Sequence, residues 1–477
     1  MTALIAKIFE LLCRLIQPFA ALFAPLQSLL NMIKHVFKSP RSALIFIGMI
    51  SMLGMLFFLL YKDFFKTENR PYHLAFIGPL SGEGDAAGKQ MTRAIDLYLE
   101  QVNKRGGVKE RKIVLDLFDD KNDPSQAHDQ AVNIAKKNQA LAVIGHWYSS
   151  CSISGGEVYK NYQIPAITPG SVNIKVTQDN PWYFRNIYNA GASGQFLANY
   201  VKQIFQQKTV TIIHEDASYG SYLANVFEET SRKLGLEVRN KWMFKTDDKN
   251  IDRSLEKIVN ELKAKQEANE DAGVILLAVQ AVEGVKLVKL IKDAGLSSIL
   301  MGESSFSEQT FLHGFDEFSR EKTSPGYYTN DIYVATPLLF DTANEQAQQF
   351  REAYKARYHE EPDWSAAYAY DSIHLITEAL KNGTIQGKPE TLKEDRQKLR
   401  DYLAKIDNAR DAVLGVTGFN YFDEGRNAQK PVALGVYKNR NIISALTQLQ
   451  VIRNLKEIYN LDAAVKDGSV VIIDDKH

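Results

Sequence analysis

From Tyr72 onward the chain alternates short apolar runs with segments of helical period, and this alternation restricts the fold more than any other feature. HLAFIGPL is a compact run of strand type. Gly88 to Asn103 follows, with Met91, Ala94, Ile95, Tyr98 and Val102 on one helical face, and the glycine pair 106–107 ends it. KIVLDLF is the next strand, DDKNDP a turn, Ser125 to Asn138 a helix, ALAVIG a strand, Ser152 to Tyr162 a helix and IPAIT a strand. Strands this short and this apolar have both faces covered, which predicts an α/β fold with a parallel sheet between layers of helices. The pattern restarts after residue 190. A helix over Gly194–Gln206 leads into TVTIIHE, EVRNKWMF, AGVILLAV and SILMGE as strands, with helices between them, so two doubly wound units follow in series. A third stretch adds a strand-like GYYTNDIYV, helices over Glu345–Tyr358, Ala366–Lys381 and Leu392–Ile406, and a hairpin at Asp423-Glu424-Gly425 joining FNYF to PVALGVY.

Ahead of this part lies Ala43 to Leu60, 18 residues without a charge. At about 1.5 Å per residue it spans ~27 Å, close to the hydrocarbon core of a bilayer, and predicts one transmembrane helix over 43–61. No small-residue cleavage site follows it, so it reads as an anchor and not as a cleaved leader. Lys34, Lys38 and Arg41 on one side balance Lys62, Lys66 and Arg70 on the other. Lys7 and Arg14 tip the bias towards an inside N-terminus. The expectation is a single-pass inner-membrane protein with its folded part on the periplasmic or extracellular side. Residues 1–40, rich in Leu, Phe and Ala and broken at Pro18 and Pro25, suit an amphipathic segment in the membrane interface.

Composition sets further limits. With 477 residues, the chain is long enough for two or three domains. A formal net charge of zero and no dense Lys/Arg block argue against a nucleic-acid partner. Cys13 and Cys151 lie on opposite sides of the apolar segment, so no disulfide is expected, and the absence of CxxC removes a thiol-based zinc site. SGEGDAAGKQ departs from a phosphate loop: five residues separate Gly82 from Gly88, and Gln90 stands where Ser or Thr would hold magnesium. GEGDAA fits the loose dinucleotide pattern, but Asp119 comes well past the usual spacing. Neither G-x-S-x-G nor H-E-x-x-H occurs. His146 near Ser149 reads as a hydrogen-bonded neighbour, and Asp119, Asp120 and Asp123 as turn formers. No catalytic residue, metal or cofactor is expected.

FIGPLSGEG, VNKRGGV, LFDDKNDPSQA, VIGHWYSS, IPAITPGS, IHEDASYG, KDAGL, ILMGE, AAYAYDS and FDEGR run in this order across residues 72–447. In these motifs the chain resembles the type I periplasmic solute-binding proteins of the leucine/isoleucine/valine-binding kind, whose fold the ligand-binding domains of glutamate and natriuretic-peptide receptors share. The resemblance implies two lobes joined by three hinge crossovers, closing over a small molecule. Lobe 1 is expected at 72–188 plus 330–418, lobe 2 at 189–329 plus 419–450, and a C-terminal extension at 451–477, where VVIID needs a pairing partner. It also implies site residues. Ser149 falls at the position that binds the ligand carboxylate, with Trp147 and Tyr148 beside it as cleft walls. Gly170, followed by Ser171, falls where the backbone serves the ligand, and Val172 stands where the family has Thr or Ser. Tyr219 matches the aromatic of the second lobe that closes over the ligand. Gln280 replaces a usual tyrosine. Ser304, with Glu303 adjacent, falls where an acidic residue holds the ammonium. The implied role is capture of an amino acid or related solute for an ABC permease; the alternative is a sensor domain signalling to a membrane partner.

Overall fold

In a computed structural model, the described residues are 70–82 and 84–451, the strand Val470–Asp474, and positions 51, 52, 54–56 and 58, which are helical. The expected span over 43–61 otherwise lies outside the described residues, as does the 1–40 segment. Among the described residues no helix is long and apolar enough to cross a membrane. Pro71–His477 forms a compact unit of its own.

Two sheets organise that unit. The first contains β1 (Tyr72–Gly78), β2 (Ile113–Asp119), β3 (Val143–Ile144), β4 (Ala166–Thr168) and β5 (Tyr183–Arg185), in the order β2-β1-β3-β4-β5 and parallel throughout. Helices α1 (Asp85–Lys104), α2 (Pro124–Lys137) and α3 (Ser149–Tyr162) connect them. Helix α2 starts where its sequence says: the Asp123 carboxylate caps it by accepting from the Gln126 N–H at 2.7 Å, and Pro124 follows. Helix α3 begins at Ser149, three residues before its apolar period becomes visible, which puts Ser149 in the first turn.

After α4 (Ala190–Gln203) the chain enters the second sheet through β6 (Thr209–Glu215), α5 (Ser218–Lys233), β7 (Glu237–Phe244), α6 (Ile251–Glu267), β8 (Val274–Ala278), α7 (Ala281–Asp293) and β9 (Leu300–Gly302). Strands β6 and β8 are buried at every residue, as expected of central strands covered on both faces. Two short helices, α8 (Gln309–His313) and α9 (Ser319–Thr323), precede β10 (Tyr333–Thr336). The chain then forms α10 (Glu345–Tyr358), α11 (Trp364–Asn382) and α12 (Leu392–Lys405), a small pair β11 (Val413–Gly415) and β12 (Gly418–Asn420), and finally β13 (Ala433–Lys438) and β14 (Asn441–Ser444). The second sheet reads β14-β13-β10-β9-β8-β6-β7.

The lobe limits differ from the sequence expectation at two places. Residues 330–336 were assigned to lobe 1, but β10 pairs parallel with β9 and antiparallel with β13, so this stretch belongs to the second sheet. Residues 419–430 were assigned to lobe 2. They stay with the first sheet, because Phe422 packs edge-on against Phe184 with centroids 5.2 Å apart and Asn427 bridges to Arg185 at the end of β5. The chain thus passes between the sheets after β5, after β10 and just before β13. The expected hairpin at Asp423-Glu424-Gly425 is present as a short antiparallel reversal, with Phe422 opposite Ala428, but it does not pair FNYF with PVALGVY as strands. Strand β12 pairs with β11 and β13 with β10 and β14, leaving 423–427 as a tight turn closed by Asp423 N–H to Asn427 O at 2.9 Å. The VVIID strand, β16 (Val470–Asp474), does have a partner: it pairs antiparallel with β15 (Thr447–Val451).

Candidate ligand-binding site

In each sheet the strand order reverses once among the parallel strands, between β1 and β3 in the first and between β6 and β8 in the second. Loops leaving the carboxyl ends at such a point diverge and open a crevice. The loops after β3 and β4 bring Trp147, Tyr148, Ser149, Gly170 and Val172 to one cavity. Those after β6, β8 and β9 bring Tyr219, Gln280 and Ser304 to it from the other lobe. Ser171 and Glu303 stand one layer behind. The Ser171 hydroxyl donates back to Trp147 O at 2.7 Å and meets Ser152 Oγ at 2.6 Å, while Glu303 sits under Tyr219.

The lobe 1 wall is built from backbone and neutral side chains. Tyr148 occupies the N-cap of α3 without supplying a side-chain cap, so the first-turn N–H groups keep no capping acceptor. Ser149 Oγ accepts from the Asn173 N–H at 3.3 Å. Trp147 lies flat on Gly170: a Cβ there would come within 2.3 Å of the indole ring, so only glycine fits. Trp147 in turn stacks on Trp364, centroids 4.8 Å apart. Behind this wall Arg185 is fully buried. It donates to Ser171 O at 2.6 Å, Asn173 O at 2.8 Å and Asn427 Oδ1 at 2.9 Å, which pins the 171–173 loop. Burial pulls the Arg185 guanidinium down to about 10. His146, near Ser149 in sequence, instead bonds Asp120 at 2.8 Å and the Tyr159 hydroxyl at 3.0 Å inside the lobe.

The lobe 2 wall is acidic. The Tyr219 hydroxyl donates to Glu303 Oε2 at 2.9 Å, and the Ser304 hydroxyl donates to the same oxygen. Glu303 Oε1 is buried without a hydrogen-bond partner. Burial raises the Glu303 carboxyl above its ordinary range, against the pull of the Ser304, Tyr188 and Tyr219 hydroxyls. Gln280 contributes its backbone N–H to Glu215 Oε2 at 3.0 Å.

Three further lining residues escape the sequence reading: Ser305, Glu308 and Trp364. Glu308 is raised well above the usual carboxyl range by burial and by its neighbours Asp363 and Glu303. Trp364 opens α11, capped by Asp363 through Ser365 N–H at 2.9 Å. Three hydrogen bonds cross between the lobes here: Asn173 Nδ2 to Ser218 O at 2.6 Å, Trp364 Nε1 to Ser304 O at 3.1 Å, and Gln309 N–H to Asp363 Oδ2 at 3.1 Å. With the lobes in this arrangement the cavity holds about 20 Å³, room for one water molecule. A larger solute enters only when the walls part. Outside it, sharing Glu308 and Trp364, lies an open groove of about 1020 Å³ between the lobes. The cavity takes loops from both sheets, after β3 and β4 in the first and after β6, β8 and β9 in the second, whereas the groove takes Gly82 and Gly84 from the loop after β1; this convergence makes the cavity the candidate site.

This architecture agrees with what the chain is similar to. A family model described as periplasmic binding protein matches residues 71–440, and the chain belongs to that family; a Leu/Ile/Val-binding protein homolog of Brucella suis is 25% identical over 67% of this chain and 81% of its own length. An amino acid binding protein of Pseudomonas aeruginosa is 27% identical over 68% of this chain and 87% of its own length. Among solved structures, a branched-chain amino acid transporter substrate-binding protein from Streptococcus pneumoniae, in complex with isoleucine, aligns with TM-score 0.66 at 22% identity, covering 78% of this chain and 97% of that one. A solute-binding protein of an ABC transporter from R. palustris, in complex with benzoate, aligns with TM-score 0.63 at 18% identity over 78% of this chain and 95% of that one. The family and these neighbours are binding proteins, and this chain is a binding protein and not an enzyme.

Proposed function

We propose that this chain is an extracytoplasmic solute-binding protein, held at the inner membrane by residues 43–61, that captures a small polar ligand by hinge closure for ABC-type uptake. The observation that carries the reading is the convergence of loops from both lobes on one cavity, tied across by the Asn173, Trp364 and Gln309 hydrogen bonds. Ligand that fills the space between such walls is desolvated by both and trapped by closure. Ser149 and the first turn of α3 serve a carboxylate or another acceptor-rich group, by the affinity of free helix N–H groups for anions. Tyr219, with Glu303 behind it, serves the opposite end.

An amino acid or a related molecule is the favoured ligand class, supported by the relative from P. aeruginosa described as an amino acid binding protein. The ligands of the solved neighbours run from isoleucine to benzoate, so the walls and not the fold select the solute. Val172 and Gln280 line the cavity where the branched-chain binders carry hydroxyl-bearing residues. Anchoring is supported by the uncharged run Ala43–Leu60 and by the exposure of Met52, Met55, Leu56 and Phe58. A receptor role is the second reading, favoured by the β15–β16 pair that continues the chain beyond residue 440. Thermal-shift screening of the purified protein against amino acids, amides, organic acids and nucleosides tests capture. At least one class raises the melting temperature, and a flat response to all four contradicts the proposal. Protease added to spheroplasts digests the 71–477 part if it faces outward; full protection places it inside.

A further inference from the structure

Glu308 is the one acid in the cavity wall that the function above leaves without work. Its residue is 6% exposed, it borders both the cavity and the outer groove, and among the described residues no hydrogen bond or ion pair reaches its carboxylate. Two more carboxylates stand near it, and both are better provided for. Asp363 caps α11 and accepts from Gln309 N–H. Glu303 receives the Tyr219 and Ser304 hydroxyls. Among the described residues no Lys or Arg lines the cavity, and Lys89, Arg351 and Arg440 of the outer groove are paired with Glu360, Glu361 and Asp316. A buried carboxylate with acidic neighbours and no cation is either protonated or awaits a positive charge from outside the protein. Burial together with Asp363 and Glu303 does push Glu308 towards the protonated form in the free protein.

The rest of the wall fits the second alternative. Trp147, Tyr148, Tyr219 and Trp364 surround the same small space, and the two indoles stack on each other. Aromatic side chains grouped about a desolvated site attract cations through their ring quadrupoles, and an acid among them adds charge. Among the described residues no group of three or more His, Cys, Asp or Glu is placed to hold a metal ion, so the geometry favours an organic cation.

We propose that the solute taken by this cavity carries a cationic amine, which seats against the Glu308 carboxylate among the aromatic side chains of Trp147, Tyr148, Tyr219 and Trp364. The inference rests on the solute-binding reading and narrows it to a cationic class: a basic amino acid or an alkylammonium compound. It separates the charge that Glu308 recognises from the one that Glu303 meets under Tyr219.

The test is calorimetric titration of the full-length protein with two isosteric pairs, lysine against 2-aminoheptanoic acid and choline against 3,3-dimethylbutanol. In at least one pair the cation binds about tenfold or more tightly than its neutral twin, the scale of one desolvated cationic contact. Glu308→Gln brings the affinity of the cation down to that of its neutral twin, and circular dichroism of the variant confirms its fold. Equal affinities within both pairs overturn the inference, as does a preference that survives intact in Glu308→Gln. Leucine or isoleucine binding with no cationic preference overturns this inference alone. Absence of binding by every probe, these two included, overturns amino acid capture together with it.

Discussion

The two lobes offer opposite chemistry to the cavity they share. Lobe 1 presents N–H groups, a serine hydroxyl and indole rings, with the buried Arg185 guanidinium holding the 171–173 loop from behind. Lobe 2 presents a phenol and the Glu308 carboxylate, with Glu303 one layer behind under Tyr219, and no Lys or Arg among the described residues lines the cavity. The difference teaches that polarity in this site is set by lobe and not by residue. On the proposed function, a solute with separated charges is expected to turn its acceptor end to α3 and its donor end to the 303–308 segment.

The sharpest way to break this contrast is to remove the cation behind lobe 1. Arg185→Met leaves Ser171 O without a donor and takes one of two donors from Asn173 O and from Asn427 Oδ1, and with about 1–3 kcal/mol for an unsatisfied buried group plus smaller losses at the other two the total is expected near ~3 kcal/mol. Urea denaturation measures it, and a loss under ~1 kcal/mol removes Arg185 from its positioning role. Gly170→Ala follows. Its methyl group meets the Trp147 ring and forces it off the backbone, with an overpacking cost of ~1–3 kcal/mol and a drop in ligand affinity. Normal stability and affinity in this variant would show that Trp147 is free to move. Ser149→Ala and Tyr219→Ala probe one wall each. Each is expected to weaken binding by ~1–3 kcal/mol in titration calorimetry without unfolding the protein. Wild-type binding by both places the ligand elsewhere.

A smaller effect is expected from pH. Burial holds Glu303, Glu308 and Asp363 above their ordinary carboxyl values in the folded state. The stability these groups contribute is complete below the unfolded carboxyl range and is lost as pH rises through the folded values. The ligand-free protein therefore melts at a lower temperature near pH 8 than near pH 5 on their account, and Glu308→Gln flattens that slope. An identical slope in the variant contradicts the assignment.

Much of this was legible in the sequence because strand ends are legible. VIGHWYSS, IPAITPGS, IHEDASYG and ILMGE each pair a buried strand with the loop that leaves it, and those loops carry most of the cavity wall. Trp364 and Glu308 were not legible for the converse reason. Trp364 opens a helix that only the passage of the chain after β10 brings to the cavity, and Glu308 lies between two short helical turns past the end of β9, beyond the strand-and-loop motif that marks the site. Arg185 reads in sequence as an ordinary basic residue in YFRN; its burial follows from the Asn427 turn, some 240 residues later. Ser171 was read as facing ligand, yet its hydroxyl satisfies the Trp147 carbonyl. The lobe limits at 330 and 419 were misplaced because these crossovers carry no change of composition, and pairing partners alone decide them.

Small-angle X-ray scattering of residues 71–477 with and without a ligand found by thermal shift tests closure most directly. A cavity that admits one water in the closed arrangement requires the lobes to part before a solute enters. Hinge capture therefore predicts a smaller radius of gyration and a narrower distance distribution on ligand addition. Scattering curves that superimpose at saturating ligand would contradict it.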